Sequence, residues 1–313
     1  MNARSPATVM KIGAIDIGTN SVRLLIAEKN GGWHDLRREL EITRLGEDVN
    51  RTHKIKPGAM ERTLAALSKY KDLFERYGVE NVRVVATSAM RDAANSADFI
   101  AIVKERLGLT IEVISGEEEG RLTFAGVAGP GSLVKPDELA LVVDVGGGST
   151  EYIYGRNGEV FGATSLNIGS VRLYELFIKH DPPLATELKG AREMIRTAAM
   201  PAFEKAAVES PDVVIAVAGT ATQIAAIYYG VEPYDPEKIH GARIGLSELT
   251  SLIKQLAAMP VEERRALKGM HPKRADVIVT GALILEETLL GLGFPEMIIS
   301  EKDILDGIAY SIG

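Results

Sequence analysis

Two short segments of this chain resemble one another, and they constrain its fold more than any other feature. Residues 14–22 read AIDIGTNSV and residues 142–150 read VVDVGGGST. In each segment an Asp ends a buried apolar run, a Gly follows two positions later and a Ser five positions later. The pattern predicts a strand, an acidic residue, a tight turn and a second strand in both copies. Two copies of one such unit indicate a duplicated domain.

The hydrophobic pattern outside these segments predicts alternating strands and helices. A helix is expected from Pro57, which suits a first helical turn, to Gly78, which suits a helix end. The predicted strands cover residues 11–18, 21–28, 36–45, 82–86, 111–114, 139–145, 152–154, 160–166, 213–217 and 297–300. The fold class is therefore α/β, and 313 residues suffice for two domains of about 150 residues each.

The composition excludes several classes of protein. Zero cysteines exclude disulfides, thiolate metal sites and a cysteine nucleophile, and they fit a reducing cytoplasm. The formal net charge of -7 disfavours broad binding to nucleic acid or to an anionic membrane. The longest uncharged stretch, residues 213–230, carries polar residues at its centre and is expected to form a strand, a turn and a helix. The N-terminus lacks the uninterrupted apolar region of a signal peptide.

The two glycine turns suit the binding of phosphate. Gly18 and Gly146 to Gly148 allow the backbone to approach an anion closely, and exposed N–H groups bind anions without positive side chains. Ser21 and Ser149 add hydroxyl donors. One such turn is usually only a hairpin, but its duplication favours two turns that grip a chain of phosphates.

Seven segments in order resemble the exopolyphosphatase / guanosine pentaphosphate phosphatase family. They are AIDIGTNSVRLLIAE, ATSAMRDAANS, VISGEEEGRLTFAGV, LVVDVGGGSTEYI, LNIGSVRLYE, AVAGTATQIAAI and RADVIVTGALILEE. The resemblance implies two duplicated ribonuclease-H-like (actin-like) domains, each with a mixed five-stranded sheet flanked by helices, and a cleft between them. It places domain I at 1–126 and domain II at 127–301, with residues 302–313 packed back on domain I. The implied activity is Mg²⁺-dependent release of the terminal phosphate from inorganic polyphosphate or from pppGpp.

The resemblance also implies roles for individual residues. Glu119 would activate the attacking water, with Glu151 and Arg91 as further catalytic residues. Metal-organising carboxylates would be Asp16, Asp144 and Glu151. The phosphate-binding residues would be Gly18, Thr19, Asn20, Ser21, Arg23, Ser88, Gly146, Gly147, Gly148 and Ser149.

Elementary electrostatics supports a metal ion in such a site. Carboxylates gathered around a polyanion would repel it, by about 4 kcal/mol per close pair of unit charges at an effective dielectric constant near 20. A hard divalent cation with oxygen ligands offsets this repulsion, so Mg²⁺ is expected and Mn²⁺ is the other candidate. Two arginines also have a purely structural interpretation. Arg23 could equally form an ion pair with an acid, and Arg172 is expected to form a structural ion pair.

The leading hypothesis is an exopolyphosphatase, and three alternatives remain open. No residue distinguishes it from a pppGpp 5′-phosphohydrolase; a non-catalytic binder of polyphosphate or (p)ppGpp and an ATP-dependent small-molecule kinase are less favoured. The oligomeric state is expected to be a monomer or a homodimer. Longer relatives add a C-terminal helical domain, so we expect a more open cleft here and a preference for shorter chains. The segment Ile304 to Gly307 reads ILDG where many relatives have LREG, which removes a cation from that segment.

Overall fold

The structure, a computed structural model, describes residues 10–312 of the chain. Residues 1–9, where predicted domain I and the segment considered for a signal peptide begin, and residue 313 lie outside the described residues. The described residues form two compact units, the first comprising 10–115 with 304–312 and the second comprising 116–303. Within residues 10–312, no helix has the length and hydropathy needed to cross a membrane.

In each half of the chain three consecutive strands come first, and helices interspersed with further strands follow them, as predicted. The strands are β1 (Met10–Ile17), β2 (Ser21–Lys29), β3 (Trp33–Ile42), β4 (Asn81–Ala86), β5 (Ile111–Val113), β6 (Ala140–Val145), β7 (Thr150–Arg156), β8 (Glu159–Leu166), β9 (Val213–Val217), β10 (Arg243–Gly245) and β11 (Glu296–Ile299). The helices are α1 (Val49–Thr52), α2 (Pro57–Tyr77), α3 (Ser88–Asp92), α4 (Ser96–Leu107), α5 (Gly116–Val127), α6 (Ser170–Phe177), α7 (Ala185–Glu209), α8 (Ala218–Tyr229), α9 (Pro236–Ile239), α10 (Leu246–Ala258), α11 (Val261–Arg265), α12 (Ile278–Leu292) and α13 (Ile304–Tyr310).

The first unit is built on a five-stranded mixed sheet in the order β3-β2-β1-β4-β5. Strands β1, β2 and β3 pair antiparallel, and β4 and β5 extend the sheet in parallel from β1. Helix α2 begins with Pro57 at its first turn and ends at Gly78 in the left-handed conformation, as the sequence predicts. Its apolar face, which includes Leu67 and Phe74, packs into the core formed with β1 and β2.

The C-terminal helix α13 belongs to this first unit, where it packs against β1 and β2. Its Asp306 is 0% exposed and forms a salt bridge with Arg38 of β3. The segment that replaces LREG therefore supplies a buried carboxylate that anchors the chain end to the sheet.

The second unit contains a six-stranded mixed sheet in the order β10-β11-β9-β6-β7-β8. The expectation of five strands in this domain was wrong, because β10 is a three-residue edge strand that pairs antiparallel with β11. Three residues are too few for a periodic hydrophobic pattern to show in the sequence. The α/β class and the mixed sheets flanked by helices are confirmed.

The boundary between the units lies at Gly116 and not at residue 127, because helix α5 packs on β7 and β8 of the second sheet. A Cβ atom added at Gly120 would lie 2.9 Å from Ala163 Cβ and 3.1 Å from Ile153 Cγ1. The glycine therefore lets the helix lie close to the sheet, and this contact assigns α5 to the second unit.

Candidate active site

The two predicted glycine turns have the same backbone geometry. The Gly18 N–H donates to Ser21 O at 2.9 Å, and the Gly146 N–H donates to Ser149 O at 3.0 Å. Each turn joins two antiparallel strands and follows an Asp at the end of the first strand. The duplication inferred from the sequence is therefore present in the backbone of both units.

The residue opposite each Asp distinguishes the two copies. Asp16 faces Arg23 across β1 and β2. Arg23 Nη2 lies 2.8 Å and Arg23 Nε lies 3.0 Å from Asp16 Oδ2, so the two side chains form an ion pair. This is the structural interpretation considered for Arg23, and it occupies one oxygen of the carboxylate predicted to organise a metal. The phosphate role of Arg23 and the metal role of Asp16 stay predictions.

In the second unit the equivalent pair consists of two acids. Asp144 faces Glu151 across β6 and β7, at the register position that Asp16 and Arg23 occupy in the first unit. Their exposed fractions are 5% and 1%. Like charges placed directly opposite one another on neighbouring strands are destabilising. Of the two strand-end pairs, the one in the second unit therefore brings two carboxyl groups together despite this cost.

Glu119 of helix α5 joins this pair of acids. It is 7% exposed, whereas Glu117 on the same helix is exposed and pairs with Arg121. Thr123, one turn after Glu119, donates through Oγ1 to Asp144 Oδ2 at 3.1 Å. Residues four apart lie on one face of a helix, so the contact of Thr123 orients the face that carries Glu119 toward the strand-end acids. We call Glu119, Asp144 and Glu151 the carboxylate cluster.

The carboxylate cluster perturbs the titration of Glu151. Burial raises the pKa of the Glu151 carboxyl well above its ordinary value, and the charges of Glu119 and Asp144 raise this pKa further. Hydrogen bonds from Ser165 and Ser149 oppose the rise. Residues whose pKa is shifted by burial and by neighbouring charges occur most often at functional sites, where they take part in binding or in proton transfer.

Two residues that hold the carboxylate cluster were not predicted from the sequence. Thr123 orients Asp144, and Ser165 Oγ of β8 donates to Glu151 Oε1 at 2.7 Å. Both come from elements remote in sequence from the glycine turn. Ser149, predicted as a phosphate donor, also directs its hydroxyl to Glu151. Only Thr123, which stands at helical spacing from Glu119, left a signal in the sequence that could have identified it.

The predicted phosphate-binding residues of the first unit include buried polar atoms. Ser88 is 2% exposed, and neither its Oγ nor Asn20 Oδ1 has a hydrogen-bond partner within residues 10–312. Buried polar groups are normally paired, so such atoms are typical of sites completed by water or a ligand. Arg91 Nη1 donates to Ile114 O at 3.0 Å, a contact that holds the end of α3 beside the residue that follows β5.

The donor set of the carboxylate cluster is compatible with a hard divalent cation. All of its ligand atoms are carboxylate oxygens, and Mg²⁺ is commonly held by one or two carboxylates together with waters and substrate phosphates. Within the described part of the chain, no three His, Asp or Glu side chains are arranged to hold a metal ion by themselves. The residues thus fit a cation that is partly coordinated by substrate, not a site enclosed by protein ligands.

Two mixed sheets that each carry an acidic strand end and a glycine turn, with a buried carboxylate cluster in the second, define a phosphate-processing enzyme of the actin-like fold class. A sequence profile of the Ppx/GppA phosphatase family matches residues 24–312. The chain belongs to this family, which confirms the resemblance found in the sequence.

Individual relatives cover nearly the whole chain. Exopolyphosphatase 2 of Mycobacterium tuberculosis is 40% identical over 317 residues, which span 96% of this chain and 98% of that protein. The crystal structure of an Aquifex aeolicus family member is 37% identical, covers 97% of both chains and has a TM-score of 0.80. An exopolyphosphatase from Cytophaga hutchinsonii is 29% identical, covers 96% of this chain and 97% of its own, and has a TM-score of 0.90.

Proposed function

We propose that this protein is an exopolyphosphatase that hydrolyses the terminal phosphoanhydride bond of inorganic polyphosphate. The observation that carries the proposal is the carboxylate cluster beside the second glycine turn, in a chain 40% identical to an exopolyphosphatase. A phosphoryl group is transferred to water when the water is aligned with the bond and the charge on the phosphate oxygens is stabilised. The cluster and the turn supply groups for these two tasks.

Glu119 is proposed as the base that accepts a proton from the attacking water. It is buried on α5 outside the cross-strand pair, and its charge raises the pKa of the Glu151 carboxyl, which supports a position close to that pair. A positioned base contributes roughly 10²–10⁴-fold to a rate. The N–H groups of Gly147 and Gly148 are proposed to bind phosphate oxygens, and Arg91 to contact the phosphate chain.

In the first unit, the proposed phosphate contacts are Gly18, Thr19, Asn20, Ser21, Arg23 and Ser88. The partnerless buried oxygens of Asn20 and Ser88 support this proposal, because a bound substrate with its waters would satisfy them. The ion pair of Asp16 with Arg23 leaves Asp144 and Glu151 as the stronger candidates for holding a cation.

Mg²⁺ is the proposed cation, and Asp144 and Glu151 are the residues proposed to hold it. When bound, it would supply neutralisation of phosphate charge. A cation bound at this place would favour the ionised Glu151 carboxylate, which burial and the neighbouring acids disfavour. A cytoplasmic location and a monomer or homodimer stay predictions.

A second candidate function is hydrolysis of the 5′-terminal phosphate of pppGpp. The family that the chain matches is named Ppx/GppA, and the sequence resemblance leaves this activity open beside the first. The scissile bond is again a terminal phosphoanhydride, so the same carboxylate cluster would serve both substrates.

The test is phosphate release from polyphosphate, pppGpp and ATP, measured in parallel with and without Mg²⁺. We expect Mg²⁺-dependent release from polyphosphate, and a loss of roughly 10²–10⁴-fold in kcat for Glu119→Gln. The matched control is Glu117→Gln, which removes an exposed acid two residues away on the same helix and should leave kcat unchanged. Full turnover by Glu119→Gln would show that another group is the base, and release from pppGpp alone would favour the second candidate.

A further inference from the structure

The carbonyl groups of the second glycine turn all accept hydrogen bonds from the start of helix α6. Gly146 O accepts from the Ser170 N–H at 3.0 Å, and Gly147 O accepts from the N–H groups of Val171 and Arg172 at 2.9 and 3.1 Å. Gly148 O accepts from the side chain of Arg172, through Nε at 2.8 Å. The carbonyl oxygens of three consecutive residues are therefore fixed by hydrogen bonds on the side of the turn that faces α6.

This arrangement determines where the N–H groups of the turn point. In a planar trans peptide the C=O and the following N–H point in opposite directions. Because the carbonyls of Gly146, Gly147 and Gly148 face α6, the N–H groups of the residues that follow each of them face away from it. Successive N–H groups that point to one side form a concave site for anions.

Gly169 makes the close approach of α6 possible. A Cβ atom added there would lie 2.5 Å from the carbonyl C and O of Gly147 and 2.6 Å from the N of Gly148. The backbone of residue 169 thus lies directly against the turn. Thr280 Oγ1 of α12 donates to Ser170 O at 2.7 Å, which ties the start of α6 to the core of the second unit.

The first unit holds its own turn in the same manner. Thr19 O accepts from the Gly46 N–H and Asn20 O accepts from the Arg44 N–H, each at 2.9 Å. In both units the donors lie in the segment that follows the third strand of the sheet, after β3 in one and after β8 in the other. The same hydrogen-bonding arrangement therefore occurs in both units although the two donor segments share little sequence. We infer that it was inherited with the duplication and kept for function.

We propose that Arg172 is a positioning residue for phosphate binding, which acts by holding Gly148 O so that the N–H groups of the second turn face the substrate. This role is proposed beside the structural ion pair that the sequence predicts for Arg172, which stays a prediction. The inference rests on the proposed function for the identity of the anion, but the orientation of the turn is a property of the backbone.

The test compares three substitutions that separate the hydrogen bond from the charge. Arg172→Gln keeps an N–H donor the same number of bonds from the backbone as Nε and removes the charge. Arg172→Lys keeps the charge and places a methylene at that position, and Arg172→Met removes both. The dissociation constant for imidodiphosphate, a non-hydrolysable diphosphate, is measured by calorimetry with Mg²⁺ at about 0.15 M salt, where the Debye length is about 8 Å.

We expect Arg172→Gln to bind within about twofold of wild type, and Arg172→Lys and Arg172→Met to bind roughly tenfold more weakly. The matched control is Arg265→Met, which removes a half-exposed arginine of the same unit. Weak binding by Gln with normal binding by Lys would overturn the proposal in favour of a direct charge contact. Equal binding by all variants, or equal loss in all three, would also overturn it.

The design remains decisive if Arg172→Met fails to fold, because the Gln and Lys proteins alone distinguish the hydrogen-bond donor from the charge. Phosphate release by the wild type tests the proposed function separately. An inactive wild type that binds imidodiphosphate, with the expected order of variants, would reject the activity and retain the role of Arg172. A wild type that does not bind imidodiphosphate would reject the anion site itself.

Discussion

Replacing Glu151 by Gln should change how the stability of the protein depends on pH. The Glu151 carboxyl is 1% exposed and its pKa is raised by burial and by Glu119 and Asp144. In the folded protein it therefore keeps its proton at pH values where the unfolded chain, with a glutamate pKa of about 4.3, has lost it. Gln has nearly the same shape, does not titrate, and can still accept the hydrogen bond from Ser165.

The sign and the magnitude follow from proton linkage. Between the unfolded pKa and the raised folded pKa, the folded state binds one more proton than the unfolded state. The free energy of unfolding of the wild type should therefore fall as pH rises through this window, by up to about 1.4 kcal/mol per pH unit. Above the folded pKa the loss is complete, and below the unfolded pKa none has occurred. The Gln variant should lack this contribution.

The assay is urea unfolding of both proteins in EDTA between about pH 5 and pH 8. The difference in unfolding free energy, Gln variant minus wild type, should grow with pH. Added Mg²⁺ should stabilise the wild type more than the variant, since a ligand that binds only the folded state raises its stability. If the free energies of unfolding of the two proteins changed with pH in parallel in EDTA, the conclusion that ionising Glu151 destabilises the folded protein would be refuted.

Three further substitutions test individual contacts. Gly169→Ala should raise KM for polyphosphate, since the new Cβ would lie 2.5 Å from the backbone of Gly147 and must displace the turn. Asp306→Ala should lower the free energy of unfolding by about 2 kcal/mol, because it removes the buried carboxylate that pairs with Arg38 and leaves that arginine only its ion pair with the more exposed Asp35; urea unfolding measures this loss. Thr123→Val should destabilise by about 1 kcal/mol and lower kcat, since it removes a hydrogen bond to the carboxylate cluster.

Each of these substitutions has a matched control. Gly32→Ala adds a Cβ whose nearest neighbour is His34 Nε2 at 3.8 Å, and it should leave KM unchanged. Thr123→Ser keeps the hydroxyl and should restore most of the kcat lost in Thr123→Val. Asp306→Asn keeps the size of the side chain and should be less harmful than Asp306→Ala. An unchanged KM in Gly169→Ala would contradict the proposed effect of the close approach at Gly169. Equal losses of kcat in Thr123→Val and Thr123→Ser would contradict the proposed role of the Thr123 hydroxyl.

Much of the fold could be predicted from the sequence because its signals are local. Pro57 and Gly78 mark the ends of α2 through their own backbone preferences, and the structure confirms both. The glycine turns were predictable for the same reason, since an Asp, a Gly and a Ser at fixed spacing occur twice in the chain. The three-residue strand β10 was missed, because its pairing with β11 depends on a distant segment.

The candidate site was predictable only in part. Asp144 and Glu151 stand at the spacing that a hairpin requires, so their cross-strand pairing follows from the turn. Glu119 was selected from three consecutive glutamates by resemblance to a family, because the local pattern equally suits a helix start. Its burial beside the strand-end acids follows from the packing of α5 through Gly120, a contact between elements far apart in sequence.

By itself, the sequence determined the α/β class, the duplication and the two turns, since these depend on hydrophobic period and on the conformations that Gly and Pro allow. Only the tertiary structure decided that Thr123 and Ser165 hold the carboxylate cluster and that Arg172 holds the second glycine turn. These are contacts between segments separated along the chain. Such contacts depend on how helices and strands pack, and a local pattern constrains which face is buried but not which partner covers it.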